Sequence, residues 1–344
     1  MGVQLSGLIK AKKIVIDNLS GRKVAFDGHN ILYQFLAIIR GRRGEPLKDK
    51  EGKITSHLSG LIYRNSNLME AGVLIAYVFD GKPPDLKTGV VERRRIVRHE
   101  AQAKYKKALR EGKPEEAKIY AQQAVTATAK IVKDAKRLLN LMGAPWVQAP
   151  AEGEAQSAHM AIKGDVYAVA SQDFDSLLFG APVLVRNLSI TGRRKLPRKN
   201  LYIKIEPEII ELQTFLRDLN ITREQLIDIG LLVGTDYNPK GIKGIGPKTA
   251  IKLVKKHGTI ESVLPQIKNA EFPFSIEEIK ELFLKPKVTD NYRLEWKPPD
   301  IDGIVEFLCE EHNFSRSRVN TAIKKIEAGY KKGKGRTTLE RWFN

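Results

Sequence analysis

Four short apolar runs end in carboxylates: Lys23-Val-Ala-Phe-Asp27, Val73-Leu-Ile-Ala-Tyr-Val-Phe-Asp80, Trp146-Val-Gln-Ala-Pro-Ala-Glu152-Gly-Glu154 and Tyr167-Ala-Val-Ala-Ser-Gln-Asp173-Phe-Asp175. A fifth, Leu231-Leu-Val-Gly-Thr-Asp236, reads the same way. Apolar runs of this length predict strands buried on both faces of a parallel sheet, and so an α/β fold. Ligand sites in such sheets lie beyond the carboxyl ends of the strands.

Between these runs the pattern is helical. A short helix is expected before the Asp27 strand, and a helix through Tyr33-Gln-Phe-Leu36 after it. Residues 41–56 are polar and glycine-bearing and read as a loop or a mobile hairpin; a helix follows from about Ser56. Residues 92–118 carry ten basic and five acidic residues and little for a core, which predicts a helix standing away from the body. Glu111-Gly-Lys-Pro114 breaks it. An apolar stripe from 121 to 142 then predicts one helix whose second half packs on the sheet, so that 92–130 forms a two-helix protrusion beside the acids. Residues 183–205 read as strands around a basic loop, Thr191-Gly-Arg-Arg-Lys195. Residues 222–260 read as helix, turn, helix, and 275–284 and 301–328 as further helices. The segment Lys331-Lys-Gly-Lys-Gly335 reads as a flexible basic linker before an apolar patch at Leu339, Trp342 and Phe343.

Charge changes the picture. The 344 residues carry a net charge of +19, so the acids form a local cluster inside a basic protein. That contrast suits an enzyme acting on a polyanion. Seven acids at one sheet end cannot all stay ionised without partners. An all-oxygen set of this kind calls for divalent ions, Mg²⁺ or Mn²⁺. Helix-dipole complementarity accounts for one of Glu152 and Glu154, and helix capping for one of Asp173 and Asp175, but neither explains acids at five segment ends. Two ions would hold both oxygens of a phosphodiester displacement and activate the attacking water.

Two further strings carry chemistry. Gly241-Ile-Lys243-Gly244-Ile-Gly246-Pro-Lys248-Thr-Ala250 is either an ordinary turn between helices or a backbone-amide site for a DNA phosphate, and its flanking lysines favour the second. Lys87 and Arg93-Arg94-Arg95 follow Asp80 closely. A charge run is commonly a solvated face, but this one stands where a cation could hold the scissile phosphate. The six histidines have no metal-ligand spacing, and His29 and His57 read as surface or core residues. Cys309 is alone, which excludes a disulfide framework and a cysteine zinc site. There is no serine elbow, P-loop, signal-peptide pattern or transmembrane-length stretch, and the reading is of a soluble intracellular protein with no membrane role.

Together the strings Phe-Asp27-Gly, Tyr33-Gln-Phe-Leu, Thr55-Ser-His-Leu, Val-Phe-Asp80-Gly-Lys-Pro-Pro, Ala-Pro-Ala-Glu152-Gly-Glu154-Ala, Ser-Gln-Asp173-Phe-Asp175, Gly-Thr-Asp236-Tyr-Asn, Gly-Ile-Lys-Gly-Ile-Gly-Pro and Thr-Thr-Leu339-Glu-Arg-Trp342-Phe343 resemble the flap endonucleases of the structure-specific 5′-nuclease superfamily, over nearly the whole chain. The resemblance implies a SAF-type, PIN-like α/β fold with a helical arch. It divides the chain into an N-terminal nuclease region (1–98), the arch (92–130), an internal nuclease region (131–240), a helix-turn-helix duplex-binding element (222–260), C-terminal helices (261–330) and a tail (331–344). Asp80, Glu152 and Glu154 would serve one metal, with Asp27 nearby through water; Asp173, Asp175 and Asp236 would serve the other. Lys87 and Arg94 match the catalytic basic pair, and Tyr33 the aromatic that stacks on a base. Residues 41–56 match a wedge where the duplex bends, and Phe314 lines a pocket for a one-nucleotide 3′ flap. Gly2, Arg40, Thr55 and Arg64 fall at DNA-facing places. Lys243, Gly244, Gly246 and Lys248 match an element that grips duplex DNA and holds a K⁺ ion.

The implied activity is 5′-flap endonuclease and 5′–3′ exonuclease action on flap, double-flap, nicked or gapped DNA in Okazaki-fragment maturation and repair, by a monomer. Leu339, Trp342 and Phe343 match a peptide for the sliding clamp, PCNA, although Arg336 stands where glutamine is usual. The single cysteine and compact tail are similar to archaeal members, hence cytoplasmic and nucleoid-associated; a eukaryotic member would be nuclear. Alternatives are an exonuclease-1-like or junction-resolving nuclease of the same superfamily, or a non-catalytic junction scaffold. The scaffold would lack some of the seven acids, and all are present.

Overall fold

A computed structural model describes residues 2–41, 44–189, 192–195, 202–267, 272 and 274–340. Its centre is a seven-stranded sheet, built from β1 (Lys12–Lys13), β2 (Lys23–Asp27), β3 (Leu74–Phe79), β4 (Trp146–Gln148), β5 (Ala168–Ala170), β6 (Val183–Arg186) and β9 (Glu208–Glu211). The spatial order is β1-β9-β6-β5-β2-β3-β4. The strands β2 to β6 run parallel; β9 and β1 close one edge antiparallel. Parallel pairing puts Asp27 beside Val78, and Phe79 beside Gln148, so the acids that follow these strands emerge at one end of the sheet.

Both faces of the sheet are covered, which is why its strands are continuously apolar. On one side Phe26, Ile75, Tyr77 and Phe79 pack under α1 (Gly28–Ile38), α2 (Ser56–Glu70) and α5 (Ala129–Leu141). On the other, Ala25, Val78 and Val169 pack with α6 (Gly153–Ile162) and α7 (Asp175–Leu178). Successive residues of β2 and β3 thus serve opposite cores, as the strand pleat requires.

The segment expected to form the arch holds two helices, α3 (Thr88–Arg110) and α4 (Pro114–Gln123), joined at the expected break. The two helices bury mainly alanines against each other: Ala101, Ala108, Ala117 and Ala121. The apolar stripe expected to form one helix is interrupted at residues 124–128. Thr128 caps α5 there, its hydroxyl accepting from the Ile131 amide, which favours a new helix start over continuation.

The short helix expected before β2 is there as a single 3₁₀ turn, Ile16–Leu19. Three further expectations are corrected. The segment ending at Asp236 is not a strand: Leu231–Val233 closes the helix α9 (Arg223–Val233), broken by Gly234 at φ 118°, a conformation that favours glycine. Gly192–Lys195 of the expected basic loop is itself a strand, β7, paired antiparallel with β8 (Tyr202–Ile205), while Thr191 and residues 196–201 lie outside the described residues. After α8 (Leu212–Leu219), α9, α10 (Pro247–His257), α11 (Ile260–Val263), α12 (Ile276–Leu284) and α13 (Ile301–Val305), the last helix α14 runs Arg316–Glu340, through the segment expected to be a linker. Lysine is a good helix former, and extending an existing helix avoids a new nucleation cost, so the glycines at 333 and 335 do not stop it. Leu339 lies in this helix; Trp342 and Phe343 lie outside the described residues.

Candidate active site

Each acid is held by the element it ends or begins. Asp27 closes β2 and caps α1, accepting from the Asn30 amide at 3.0 Å. Asp80 follows β3 and accepts from the Gly153 amide at 2.6 Å, which ties it to the start of α6. Glu152 is the capping residue of α6 and Glu154 sits in its first turn. Glu154 accepts from the Ser171 hydroxyl at 2.8 Å, Glu152 from the Tyr237 hydroxyl at 2.8 Å, and Asp173 from the Asn30 side-chain amide at 2.9 Å. Asp175 opens α7 and accepts from the Val3 amide at 2.7 Å. The N-terminal segment lies directly on this cluster: a Cβ on Gly2 would stand 2.7 Å from Asp173 Cβ and 2.9 Å from Asp175 Cγ, so glycine is required there.

The acids perturb one another. Burial, then Asp80, push the Asp27 carboxyl well above its ordinary range. Burial, then Asp175, Asp27 and Asp173, do the same to Glu154. Asp175 is pushed up to about 7 by burial and by Asp236. Asp236 differs: burial works to raise it, but the positive charges around it, Lys87 first and Arg94 among the others, outweigh that and hold it below the usual carboxylate range.

Those two cations come from the foot of α3. Lys87 contacts Glu152 and stands 3.4 Å from Asp236; Arg94 reaches Asp236 at 2.5 Å. The Lys87 ammonium also lies 4.9 Å from the centre of the Tyr237 ring. Burial works against its charge, yet Glu152 and Asp236 overcome it and raise its pKa. Of the neighbouring arginines, Arg95 pairs with exposed Glu92 instead.

The donor set fits divalent cations that prefer oxygen. It is composed of carboxylates, three of which resist ionising together, and an ammonium and a guanidinium already occupy cation positions against Glu152 and Asp236. Among the described residues no three acidic side chains form a finished cage for one ion; Lys87 stands against two of them instead.

The remaining expected site residues fall in three places. Tyr33 lies on α1, with the Arg98 guanidinium of α3 4.8 Å from its ring centre. Around the hairpin of residues 44–54, Thr55 is buried at the head of α2, Arg64 is half-buried on α2, and Phe314 lies 6.4 Å from the Tyr63 ring. Arg40 is spent internally: it donates to the carbonyls of Ala37, Gly44 and Ala121, which fastens the end of α4 to the hairpin. Lys243, Gly244 and Gly246 lie in a separate exposed turn before α10, with Gly246 as its cap, and Lys248 is exposed in the first turn of that helix. His57 is a buried core residue, as one reading had it. His29 is more than a surface residue: its Nδ1 accepts from the Asp80 amide at 3.1 Å and stands 3.2 Å from the Asp80 carboxylate. With Asn30, Ser171, Tyr237 and the Val3 amide, it belongs to a supporting layer that sequence reasoning did not assign. Tyr237 and Asn30 adjoin the acid motifs, but nothing local says that Tyr237 meets Glu152, 85 residues away.

Carboxylates gathered at one end of a parallel sheet, Asp27 and Asp175 among them buried, and faced by two cations from the foot of α3 on a strongly basic protein, suit a nuclease site. The XPG N-terminal domain matches residues 1–101 and the XPG I-region residues 143–236. Flap endonuclease 1 of Thermococcus onnurineus is 55% identical over 343 residues, covering 100% of this chain and 99% of its own. That of Pyrococcus horikoshii is 54% identical, covering 100% and 98%. Among solved structures, flap endonuclease-1 from Methanococcus jannaschii superposes with a TM-score of 0.76 at 44% identity, covering 97% of this chain and 100% of that one. The chain belongs to the flap endonuclease family, structure-specific nucleases that hydrolyse phosphodiester bonds and as a family use divalent metal ions.

Proposed function

We propose that this chain cuts branched DNA at single-strand/duplex junctions, as a 5′-flap endonuclease and 5′–3′ exonuclease in Okazaki-fragment maturation and repair. The observation that carries the reading is Lys87 seated between Glu152 and Asp236, within the acids at the end of the parallel sheet. Asp80, Glu152 and Glu154, with Asp27 behind, would hold one Mg²⁺, and Asp173, Asp175 and Asp236 a second; Mn²⁺ has the same ligand preference. When bound, such ions neutralise the cluster and supply Lewis-acid activation of the phosphodiester and the water. The chain's own residues do the rest. Tyr237, Ser171, Asn30 and the Val3 and Gly153 amides hold carboxylate oxygens in place. Lys87 and Arg94 sit where a scissile phosphate would enter and balance the charge that develops on it. Tyr33 offers a ring for the neighbouring base, and Phe314 a wall for a one-nucleotide 3′ overhang.

The acid cluster gives a prediction that does not depend on turnover. Asp27, Glu154 and Asp175 keep protons in the folded, metal-free protein at pH values where the unfolded chain has lost them. Their contribution to stability is therefore largest in acid and is lost as pH rises from about 4, the ordinary carboxylate range, toward the Asp175 value of about 7. Divalent ions bind the ionised form, so their stabilisation grows over that interval. The Tm increase on adding Mg²⁺ should be clearly larger near pH 8 than at about pH 5.5. An equal increase at both would contradict the assignment.

The exposed 241–248 turn and the lysines of α10 suit the phosphates of duplex DNA, with a K⁺ ion held by the turn's carbonyls. Lys243→Ala combined with Lys248→Ala should weaken binding equally on unrelated sequences and lower the salt slope by roughly one to two. An unchanged slope would count against it. Leu339, Trp342 and Phe343 suit one helical turn docked in a groove of a sliding clamp, PCNA, and the enzyme itself acts as a monomer in the archaeal cytoplasm, at the nucleoid. No helix of the described residues is long and apolar enough to cross a membrane.

The test of the whole reading is cleavage of a double-flap DNA beside single-strand, blunt-duplex and four-way-junction controls, with and without Mg²⁺. Mg²⁺-dependent incision at the flap junction is expected. Preferential cutting of the four-way junction would favour the resolving alternative.

A further inference from the structure

The hairpin is joined to the C-terminal helices by a buried pair that the chemistry described so far does not use. At its tip, Asp49 Oδ1 accepts from the amides of Glu51 at 3.0 Å and Lys53 at 2.8 Å, closing a side-chain-to-backbone turn. The other oxygen lies 2.8 Å from His312 Nδ1, 263 residues further on. The Asp49 side chain is 0% exposed and that of His312 5%. Burial works to raise the Asp49 pKa, but the bonds from His312 and the two amides outweigh it and keep the carboxylate below its ordinary range. An ionised carboxylate only accepts, so the imidazole Nδ1–H is the donor.

The same contact is doubled next door. The Lys50 amide donates to Asn313 Oδ1 at 3.0 Å. Asn313 takes the left-handed conformation, at φ 57°, and the next amide, of Phe314, bonds back to the Leu308 carbonyl at 2.9 Å. The turn that receives the hairpin is therefore the turn that presents Phe314. His312 is fixed from behind by an edge contact with Phe307, ring centres 5.0 Å apart.

We infer that Asp49 and His312 are a positioning pair, which locks the hairpin to the turn carrying Phe314 and so sets how strongly the enzyme prefers flaps with a one-nucleotide 3′ overhang. The inference rests on the reading of Phe314 given above. Neither residue needs to touch the overhang. A bent duplex on the hairpin and an overhang at Phe314 are bound together only if the two surfaces keep a fixed separation, and this pair sets it. The hairpin keeps its other anchors, from the Leu47 amide to the Ser56 hydroxyl and from the Thr55 amide to the Leu47 carbonyl, so the fold should survive loss of the pair.

The experiment measures kcat/KM on a double flap with the 3′ overhang, divided by kcat/KM on the matched single flap, with thermal unfolding as a check on each protein. His312→Ala should lower that ratio about tenfold with single-flap kcat kept; Asp49→Ala should lower the ratio by the same factor, and the double variant should go no lower, as for two ends of one interaction. His312→Asn, whose amide nitrogen can take the place of Nδ1, should restore the ratio to within about twofold. Phe314→Ala tests the underlying reading and should also lose the preference. If Phe314→Ala loses it and His312→Ala does not, the positioning role is overturned while the pocket stands. If Phe314→Ala keeps it, the pocket reading fails and the inference falls with it. Additive losses in the double variant, or equal losses on both substrates, would also overturn the role.

Discussion

Asp175→Ala and Asp80→Ala should each abolish cleavage while leaving a folded protein that still binds DNA. Asp175 is the acid with the strongest case. It is buried, pushed up to about 7, and pressed by Asp236 and Asp173, so it gives the folded chain little stability in its ionised form. Its removal leaves the Val3 amide without its acceptor, a cost of about 1–3 kcal/mol that the relieved repulsion offsets in part. Catalysis has no such compensation. A lost carboxylate weakens the hold on an ion that contributes several kcal/mol to the transition state, and each 1.4 kcal/mol is about tenfold in rate, so a fall of roughly 10³-fold or more is expected. Single-turnover cleavage at saturating Mg²⁺, beside thermal unfolding and DNA-binding curves, makes the comparison. Near-normal turnover by a folded Asp80→Ala protein would contradict the assignment.

The second large effect belongs to Lys87 and Arg94. In the DNA-free protein both are engaged with carboxylates, Lys87 with Glu152 and Asp236 and Arg94 with Asp236. The pair therefore already stands at the mouth of the cluster, where an incoming phosphate would exchange for those carboxylates as ions take them up. Lys87→Ala or Arg94→Ala should lower the single-turnover rate by roughly 10²-fold or more, with a much smaller change in DNA affinity. A loss confined to affinity would make them phosphate anchors and remove them from the chemical step.

The parts of the fold legible in the sequence are those where one local pattern admits one structure. The runs ending at Asp27 and Asp80 are short, apolar throughout and rich in Val, Ile and Phe, and they form the central parallel strands β2 and β3. The exposure of α3 was legible because the helix has too few apolar residues to be buried. The run ending at Asp236 misled because a short apolar segment suits a buried strand and the end of a buried helix equally, and its eleven-residue helix decides only when its upstream turns are counted. The break at 124–128 was hidden because the apolar stripe continues across it in register, while the Thr128 cap interrupts the backbone. Within the site, the acids were readable from their positions, but their supports were not. Val3 holds Asp175 across 172 residues and Asn30 holds Asp173 across 143, contacts that only the folded sheet creates. Arg40 shows the same limit in reverse: its charge and place suit DNA, whereas its guanidinium is used on three backbone carbonyls.

The central claim is that the acids at the end of this sheet hold divalent ions, with Lys87 and Arg94 as their counterpart in the ion-free protein. Anomalous diffraction from crystals soaked in Mn²⁺ tests it most directly. The account predicts two peaks, one against Asp80, Glu152 and Glu154 and one against Asp173, Asp175 and Asp236, with Lys87 withdrawn from Glu152. Crystals without a peak at these acids, and with Lys87 still on Glu152 and Asp236, would contradict it.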